Sequence, residues 1–272
     1  MLTYPQIDPV IFSIGPLAVR WYGLMYVLGF AASYLLVKKQ IIEQRQEALA
    51  AQFDNLNLLL ILSLIVGARL GYVLFYNPSY YLSHPADMIA TWEGGMSFHG
   101  GCLALPLVGL WFCRRHRLDF WAVADFYTAT APIGLGLGRI GNFLNGELYG
   151  RVTDVPWAMV FPEGGPLPRH PSQLYESLLE GALLFVILWL NRKKPWQGRS
   201  PHGWPHGAIL ALFLICYGLI RIFVENFRQP DAQLGFLFGP VTMGQLLSCA
   251  MILCGLIIWW YRKRAWSRQT AQ

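Results

Sequence analysis

The 272-residue sequence is poor in charge, since only 13% of its residues are Asp, Glu, Lys or Arg, whereas soluble proteins contain about 25%. Apolar residues make up 55% of the chain. The scarcity of charge argues against an ordinary water-soluble domain, and the abundance of apolar residues excludes an intrinsically disordered chain. We therefore expect an integral membrane protein.

Several functional motifs are also missing. The five cysteines include no C-x-x-C pair, which argues against a disulfide scaffold or a zinc site. The sequence has no H-E-x-x-H for a metalloprotease and no G-x-S-x-G for a serine hydrolase. We predict neither a metal nor another cofactor, and we interpret the cysteines as small buried hydrophobes: Cys102, Cys113, Cys216, Cys249 and Cys254.

Seven apolar segments have lengths close to the roughly 20 residues that cross a bilayer as a helix. They predict an all-α fold with seven transmembrane helices, at residues 17–37, 56–75, 97–113, 121–137, 174–190, 207–225 and 241–261. We expect a single polytopic membrane domain over residues 1–272, with an N-terminal arm at 1–16, a loop at 77–96 and a small cap at 139–171.

The basic residues are distributed unevenly between the connections. Of the 21 Lys and Arg residues, 14 follow the first, third, fifth and seventh segments, and four lie in the other connections. By the positive-inside rule, the N-terminus lies outside and the C-terminus lies in the cytoplasm. The net charge of +6 thus marks one side of a membrane and does not indicate a nucleic-acid partner.

Charged residues inside the predicted spans are informative, because burying one at a helix centre costs about 2.5–3.5 kcal/mol on insertion scales. Six of them are singled out as candidates: Arg69, Asp125, Glu176, Glu180, Arg221 and Glu225. We predict that Asp125 and Glu180 form internal salt bridges. For Arg69 the sequence leaves two interpretations open, a structural partner within the protein or a contact with a lipid headgroup.

The densest polar cluster follows the fourth predicted span, where Arg139, Asn142, Asn145 and Glu147 alternate with glycines. Residues 136–141 match the pattern G-x-G-x-x-G, but no strand precedes them, so a dinucleotide site is not indicated. Glycines permit close approach of a ligand to the backbone. The cluster therefore suits an anionic headgroup, and the alternative is a hydrogen-bonded loop cap.

Two further candidates lie near the same predicted outer surface. Arg221, Glu225 and Arg228 are spaced to share one helical face, where a guanidinium fork could bind a phosphate bidentately. The alternative is an Arg221–Glu225 pair that binds no ligand. His99 lies in a glycine-flanked run, 94–101, and is either a structural histidine or a catalytic one.

Five runs of residues resemble the bacterial prolipoprotein diacylglyceryl transferase family. They are 21–26 (WYGLMY), 97–101 (SFHGG), 138–150 (GRIGNFLNGELYG), 170–176 (HPSQLYE) and 221–231 (RIFVENFRQPD). The resemblance implies that phosphatidylglycerol donates its diacylglyceryl group to the thiol of a lipobox cysteine in a prolipoprotein. A thioether forms and glycerol phosphate is released, at the periplasmic face of the bacterial inner membrane.

The resemblance also implies roles for individual residues. Arg139 and Arg221 would neutralise the phosphate, and His99 would serve as the base or would orient the headgroup, its unperturbed pKa being about 6.5. We predict that the substrate-binding residues are Tyr22, Arg139, Asn142, Asn145, Glu147, Gly150, Arg221, Glu225 and Arg228. The expected partners are phosphatidylglycerol, a lipobox-containing prolipoprotein and membrane lipid.

The best rival from another functional class is a non-catalytic phospholipid carrier or scramblase, which would also need arginines that bind headgroups. Such a protein would need polar positions on the cytoplasmic half of its spans too. The polar candidates here gather toward the outer side, which favours chemistry at that surface.

Overall fold

The computed structural model describes residues 2–5, 7–15, 17–91, 94–198, 203–229, 236–238 and 241–270. These residues are mainly helical. The helices are α1 Trp21–Glu43, α2 Glu47–Ala50, α3 Phe53–Phe75, α4 Pro78–Ser83, α5 Phe98–Arg115, α6 Phe120–Thr128, α7 Ala131–Leu144, α8 Ser172–Glu176, α9 Leu184–Asn191, α10 Ala208–Val224 and α11 Met243–Thr270. A π-helical segment, Ser177–Leu183, joins α8 to α9, and 3₁₀ turns occupy Pro85–Ile89 and Lys194–Trp196.

Two short antiparallel hairpins add to the predicted all-α fold. Strand β1 (Val10–Ile14) pairs with β2 (Leu17–Arg20), and β3 (Phe236–Phe238) pairs with β4 (Val241–Thr242). The first predicted span therefore begins four residues too early, because residues 17–20 form a strand. Gly15, with φ of +60°, provides the left-handed backbone that the turn between β1 and β2 requires.

Among the described residues, four helices are long and apolar enough to cross a membrane. They are Trp21–Glu43, Phe53–Phe75, Ser172–Trp196 and Met243–Arg268, and they match the first, second, fifth and seventh predicted spans. The sixth predicted span is present as the shorter apolar helix α10. The chain is thus a helical protein with the spans of an integral membrane protein.

The fourth predicted span is interrupted, because α6 ends at Thr128 and α7 begins at Ala131. Pro132 lies in the first turn of α7 and has no N–H to continue the preceding helix. The Thr130 hydroxyl instead donates to the Tyr127 carbonyl oxygen (2.9 Å) and pairs with the Ser33 hydroxyl (2.7 Å). Hydropathy alone did not distinguish this break from a continuous helix.

The chain forms two compact units, Met1–Lys39 with Ala124–Gln272, and Gln40–Val123. In the second unit, α3 and α5 pack backbone to backbone, since a Cβ on Gly71 would lie 2.8 Å from the Gly100 Cα.

Arg69 is only 5% exposed and lies over the Tyr81 ring. Its guanidinium donates to four carbonyl oxygens, those of Asp87, Met88, Gly94 and Gly95. The structure therefore supports the structural interpretation of Arg69, which organises the 77–96 loop.

In the first unit, the buried Asp125 holds the start of α10. Its carboxylate accepts hydrogen bonds from the backbone N–H groups of Gly207 (2.7 Å), Ile209 (3.0 Å) and Leu210 (3.0 Å). The described hydrogen-bond partners of Asp125 are thus backbone groups, and the salt bridge predicted for this residue stays a prediction. A helix start has free N–H groups and a partial positive charge, and α10 has Gly207 as its N-cap, so no side chain of its own fills this role.

Candidate active site

The site is built where α7 meets the helix that runs through α8 and the π segment. A Cβ on Gly181 would lie only 2.6 Å from the Gly136 Cα, so the two backbones touch at this point. Arg139 is one helical turn from Gly136, and Glu180 precedes Gly181. The glycine contact therefore brings the cation of one helix to the carboxylates of the other.

Glu176 is the centre of the resulting charge cluster and is 0% exposed. Its Oε2 atom lies 2.8 Å from Arg139 Nε, 3.0 Å from Arg221 Nη1 and 3.0 Å from Arg228 Nη1. Arg228 Nη1 also donates to Oε1, at 3.2 Å. Three guanidinium groups thus converge on one carboxylate, and the two arginines predicted to share an anion contact the same oxygen atom.

Glu180, also 0% exposed, is a second carboxylate in the cluster. Its Oε1 accepts from Arg221 Nη1 at 3.3 Å, and its Oε2 lies 3.9 Å from Arg139 Nη2. The salt bridge predicted for Glu180 is confirmed. The residue belongs to the π segment, and such wide turns occur frequently at functional sites.

Glu225 completes the cluster from the end of α10. Its Oε2 lies 3.0 Å from Arg221 Nη2 and 3.6 Å from Arg228 Nε, and its Oε1 accepts from the Thr242 hydroxyl at 3.1 Å. Gly244 leaves room for this carboxylate, because a Cβ there would lie 2.8 Å from Glu225 Cδ. The intrahelical Arg221–Glu225 pair is therefore present, as one contact of a larger network.

The cluster balances three arginines against three glutamates, but its members differ in accessibility. The Arg139 side chain is 21% exposed, against 13% for Arg221 and 9% for Arg228. Among the described residues, Arg139 approaches a carboxylate closely only through Nε, at 2.8 Å. Its guanidinium carries five N–H groups, so Arg139 retains donors for a further anion.

A second polar layer surrounds Glu147. Its Oε1 accepts from Asn142 Nδ2 (2.8 Å) and Asn145 Nδ2 (3.2 Å), and its backbone oxygen accepts from Gln173 Nε2 (2.6 Å). We call these four residues the amide layer. Three of them come from the sequence motif that follows the fourth predicted span, and Gln173 comes from α8.

Two members of the amide layer lie one helical turn from Arg139 and Glu176. Asn142 follows Arg139 by three residues on α7, and Gln173 precedes Glu176 by three residues on α8. The contacts show that these helices run antiparallel, because Arg139 meets Glu176 while the earlier residue Gly136 meets the later residue Gly181. Both steps therefore lead toward the 145–171 segment that connects α7 to α8.

Tyr22 reaches the same region from the start of α1. Gly141 leaves space for it, since a Cβ there would lie 2.9 Å from Tyr22 Cδ2. The Tyr22 hydroxyl pairs with that of Tyr26 at 2.9 Å. The structure thus brings Tyr22 onto the backbone of α7 between Arg139 and Asn142.

Gly150 joins the cap to the segment that carries Arg228. Its N–H donates to the His170 carbonyl oxygen at 2.9 Å, and a Cβ would overlap the Phe227 carbonyl oxygen. Burial lowers the pKa of His170 below its usual 6.5, and the ring lies 3.1 Å from the Tyr175 hydroxyl. Gly150 is therefore explained by close backbone packing.

The cap also has a small aromatic core. Tyr4 and Phe161 pack together with Met159, and the Tyr4 hydroxyl donates to the Phe143 carbonyl oxygen at the end of α7 (2.6 Å). This core fixes the N-terminal arm and the 145–171 segment against the helix that carries Arg139.

His99 belongs to the second compact unit, where it is exposed in the first turn of α5. Ser97 caps this helix by accepting the Gly100 N–H at 3.2 Å. The role of His99 remains a prediction. Asp231, the last residue of the 221–231 run, lies outside the described residues, and no group of three potential metal ligands occurs within them.

The sequence interpretation did not include Glu176 or Gln173 among the site residues. Both lie in the 170–176 run, on one helical face at a spacing of three. Three arginines assigned to one site require anions or carboxylates to balance them, and besides Asp125 and Glu225 the predicted spans contain only the carboxylates of residues 176 and 180. Charge balance was therefore the signal that could have identified Glu176.

Comparison with known proteins gives a consistent result over almost the whole chain. Residues 9–261 match the family model described as "Prolipoprotein diacylglyceryl transferase". The chain is 63% identical to a protein of Desulfotalea psychrophila over 99% of this chain and 98% of that protein. It is 53% identical to a protein of Geobacter sulfurreducens, over 94% of this chain and 95% of that protein. It is 50% identical to a protein of Pseudomonas aeruginosa strain PAO1, over 97% of this chain and 98% of that protein. All three relatives are named phosphatidylglycerol–prolipoprotein diacylglyceryl transferase.

Proposed function

The chain belongs to the prolipoprotein diacylglyceryl transferase family, and on this premise we propose how its charge cluster serves the reaction. The protein is a transferase that moves the diacylglyceryl group of phosphatidylglycerol to prolipoproteins in lipoprotein maturation. The convergence of Arg139, Arg221 and Arg228 on Glu176 is the observation that carries the assignment of the active site.

The reaction determines what the site must supply. The cysteine sulfur forms a bond to a glycerol carbon, the bond from that carbon to the phosphate oxygen breaks, and its electron pair leaves with glycerol phosphate. The thiol loses its proton, and its ordinary pKa of about 8.5 means that a base must assist at neutral pH. Negative charge grows on the departing phosphate, so cations must already be in place.

Arg139 and Arg221 meet the second requirement in our proposal. Both are largely removed from water, where electrostatic stabilisation of a developing anion is stronger than at the surface. Glu176, Glu180 and Glu225 hold the guanidinium planes at fixed positions before the lipid arrives, so little reorganisation is needed. Arg139, the most exposed of the three arginines, makes the first contact with the phosphate.

The other predicted residues support this arrangement. We assign His99 as the base that takes the thiol proton, and Arg228 and Glu225 as positioning residues for Arg221. Tyr22, Asn142, Asn145 and Glu147 bind the headgroup, and Gly150 allows the cap to close on the segment that carries Arg228. These assignments are supported by the contacts described above, and for His99 by the family resemblance.

We further propose seven spans, with the N-terminus outside, the C-terminus in the cytoplasm and the active site open to the periplasm. Four candidate spanning helices and the apolar helix α10 support this topology. The helices α5, and α6 with α7, then supply the third and fourth spans. The excess of basic residues in alternate connections supports the proposed orientation.

Substitution of Arg139 by Lys tests the proposed site. An ammonium group cannot reproduce a planar fork of N–H donors, so we expect Arg139→Lys to lose about 10²–10³-fold in kcat, as when a transition-state donor is removed. Mass spectrometry of a lipobox peptide incubated with purified protein and phosphatidylglycerol measures the diacylglyceryl adduct.

The matched control is Arg20→Lys, which makes the same exchange at an exposed residue of β2 and should retain activity. Full activity in Arg139→Lys would remove the phosphate assignment. A peptide left unmodified by the wild-type protein would instead favour the phospholipid carrier.

A further inference from the structure

We propose that the amide layer binds the two free hydroxyl groups of the glycerol headgroup and thereby selects phosphatidylglycerol among phospholipids. Gln173 is a specificity-determining residue of this layer, together with Asn145 and Glu147. The proposal rests on the proposed function, in which the neighbouring arginines hold the phosphate of the same lipid.

The orientation of two side-chain amides is fixed by their partners. Asn145 Nδ2 faces a carboxylate oxygen of Glu147, and Gln173 Nε2 faces its backbone oxygen. Both partners are acceptors only, so the nitrogen of each amide must point toward them and the oxygen must point elsewhere. The positions of Asn145 Oδ1 and Gln173 Oε1 therefore follow from the hydrogen bonds and are not an arbitrary choice.

These two amide oxygens are buried, and neither has a hydrogen-bond partner among the described residues. Gln173 as a whole is 0% exposed. Buried acceptors without a donor are rare and costly in folded proteins, and two of them lie on side chains that bind the same glutamate. The layer thus has two acceptors that can receive hydrogen bonds from a ligand that brings donors.

Phosphatidylglycerol has donors in only one place. Its phosphodiester and its two acyl esters are acceptors, while its terminal glycerol carries two hydroxyl groups. A hydroxyl can donate to an amide oxygen without introducing charge beside the arginines. An ethanolamine headgroup brings its donors on a single ammonium nitrogen, whereas the glycerol headgroup presents two hydroxyl groups on different carbons.

The separation of the two layers fits the headgroup. On each helix, the residue of the charge cluster and the residue of the amide layer are three positions apart, which is about 4.5 Å along a helix axis. The pairs are Arg139 with Asn142 and Glu176 with Gln173, and both steps lead in the same direction. In the lipid, the hydroxyl groups lie two and three carbons from the phosphate ester oxygen. One headgroup can therefore place its phosphate at Arg139 and its hydroxyls at the amide layer.

The test compares phosphatidylglycerol with phosphatidylethanol, which has the same charge and acyl chains but no headgroup hydroxyl. We expect the wild-type protein to show a kcat/KM at least tenfold higher for phosphatidylglycerol, measured with a lipobox peptide in mixed micelles. Gln173→Met keeps the length of the side chain and removes the amide. It should bring the ratio of the two kcat/KM values close to one by lowering the value for phosphatidylglycerol alone.

Ser172→Ala is the control for a loosened loop. Ser172 is also fully buried, and its hydroxyl donates to the Leu148 carbonyl oxygen at 3.2 Å, so its loss disturbs the same segment without removing an unpaired acceptor. This variant should keep the lipid preference of the wild type. Asn145→Leu provides a second test if Gln173→Met does not fold.

Equal turnover of the two lipids by the wild-type protein would overturn the proposal, and so would turnover of phosphatidylethanolamine that matches phosphatidylglycerol. A folded Gln173→Met or Asn145→Leu variant with unchanged preference would overturn it as well. In each case peptide modification would persist, so the proposed function would stand. Failure of the proposed function would appear as no adduct with any lipid.

Discussion

At the scale of single residues, Glu176 has the most demanding environment in the protein. One carboxylate with no exposed surface contacts three arginines from α7, α10 and the segment after α10. A buried carboxylate of this kind is stabilising only while its partners remain, and the arginines depend on it equally. The residue therefore couples three segments through one side chain.

Neutralising this residue should be costly. Glu176→Gln leaves the three arginines with one fewer negative charge in a buried site, and breaking a buried pair in this way costs about 3–5 kcal/mol. We expect a clear fall in the thermal unfolding midpoint in detergent, together with loss of transferase activity. Glu163→Gln, at an exposed residue of the cap, should change neither, and an unaltered midpoint for Glu176→Gln would contradict the central role of this carboxylate.

The sequence predicted the arginines of this site better than it predicted their counter-ions. Arg139 and Arg221 lie in motifs with recognisable chemistry, whereas Glu176, although it ends the 170–176 run, was assigned no role in the site. The contact between Arg139 and Glu176 joins residues that are distant in sequence, and no periodicity reports such a pairing. Asp125 shows the same limit, since its partners are backbone N–H groups that any sequence provides.

At the scale of elements, the glycine contact between α7 and the π segment sets the position of the charges. Gly136 and Gly181 allow the two backbones to touch, and Arg139 and Glu180 flank this contact on the two helices. A Cβ on Gly136 would lie 3.0 Å from the Gly181 Cα and one on Gly181 would lie 2.6 Å from the Gly136 Cα, so either would force the helices to shift. The ion pairs therefore depend on two residues that carry no charge.

Gly181→Ala tests this dependence. The new Cβ would lie 2.6 Å from the Gly136 Cα, and overpacking of this kind typically costs about 1–3 kcal/mol. We expect a lower unfolding midpoint and reduced activity, as the distance between Arg139 and Glu176 increases.

Gly134→Ala provides the comparison on the same helix α7. A Cβ on Gly134 would meet nothing within 4 Å, and Ala favours a helix over Gly by about 1 kcal/mol. This variant should be neutral or slightly more stable. If Gly181→Ala behaved in the same way, the proposed link between helix packing and the charge cluster would be wrong.

Hydropathy located the helices well but did not locate their interruptions. A window of about 20 residues averages over the break at residues 129–130 and over the strand at residues 17–20. These local features depend on Pro132, which lacks an N–H, and on the turn at Gly15, so they have little effect on mean hydropathy. The π segment gave no sequence signal that we recognised, because its composition matches that of an ordinary apolar helix.

At the scale of the whole molecule, charge asymmetry is the feature on which the proposed orientation rests. The connections that follow alternate predicted spans hold 14 of the 21 basic residues, and a bilayer with a potential across it retains such segments on the cytoplasmic side. In the proposed topology, the site and the cap lie on the opposite side, facing the periplasm.

Reporter fusions test the orientation directly. Alkaline phosphatase is active only outside the cytoplasm, so a fusion after Gly165 in the cap should be active and a fusion after Lys194 should be inactive. Comparable expression of the two fusions, measured by immunoblot, is the necessary control. The reverse pattern would place the cap in the cytoplasm and would exclude a periplasmic active site.

The position of the carboxylates along the chain has a consequence for biosynthesis. Residues 176 and 180 leave the ribosome well before Arg221 and Arg228, so for a time the nascent chain holds two acidic groups within an apolar segment while Arg139 is the one arginine of the cluster already made. Lateral release of that segment from the translocon into lipid is therefore favoured once α10 has emerged. Delayed membrane integration of the C-terminal half would be a natural cause of misassembly in this protein.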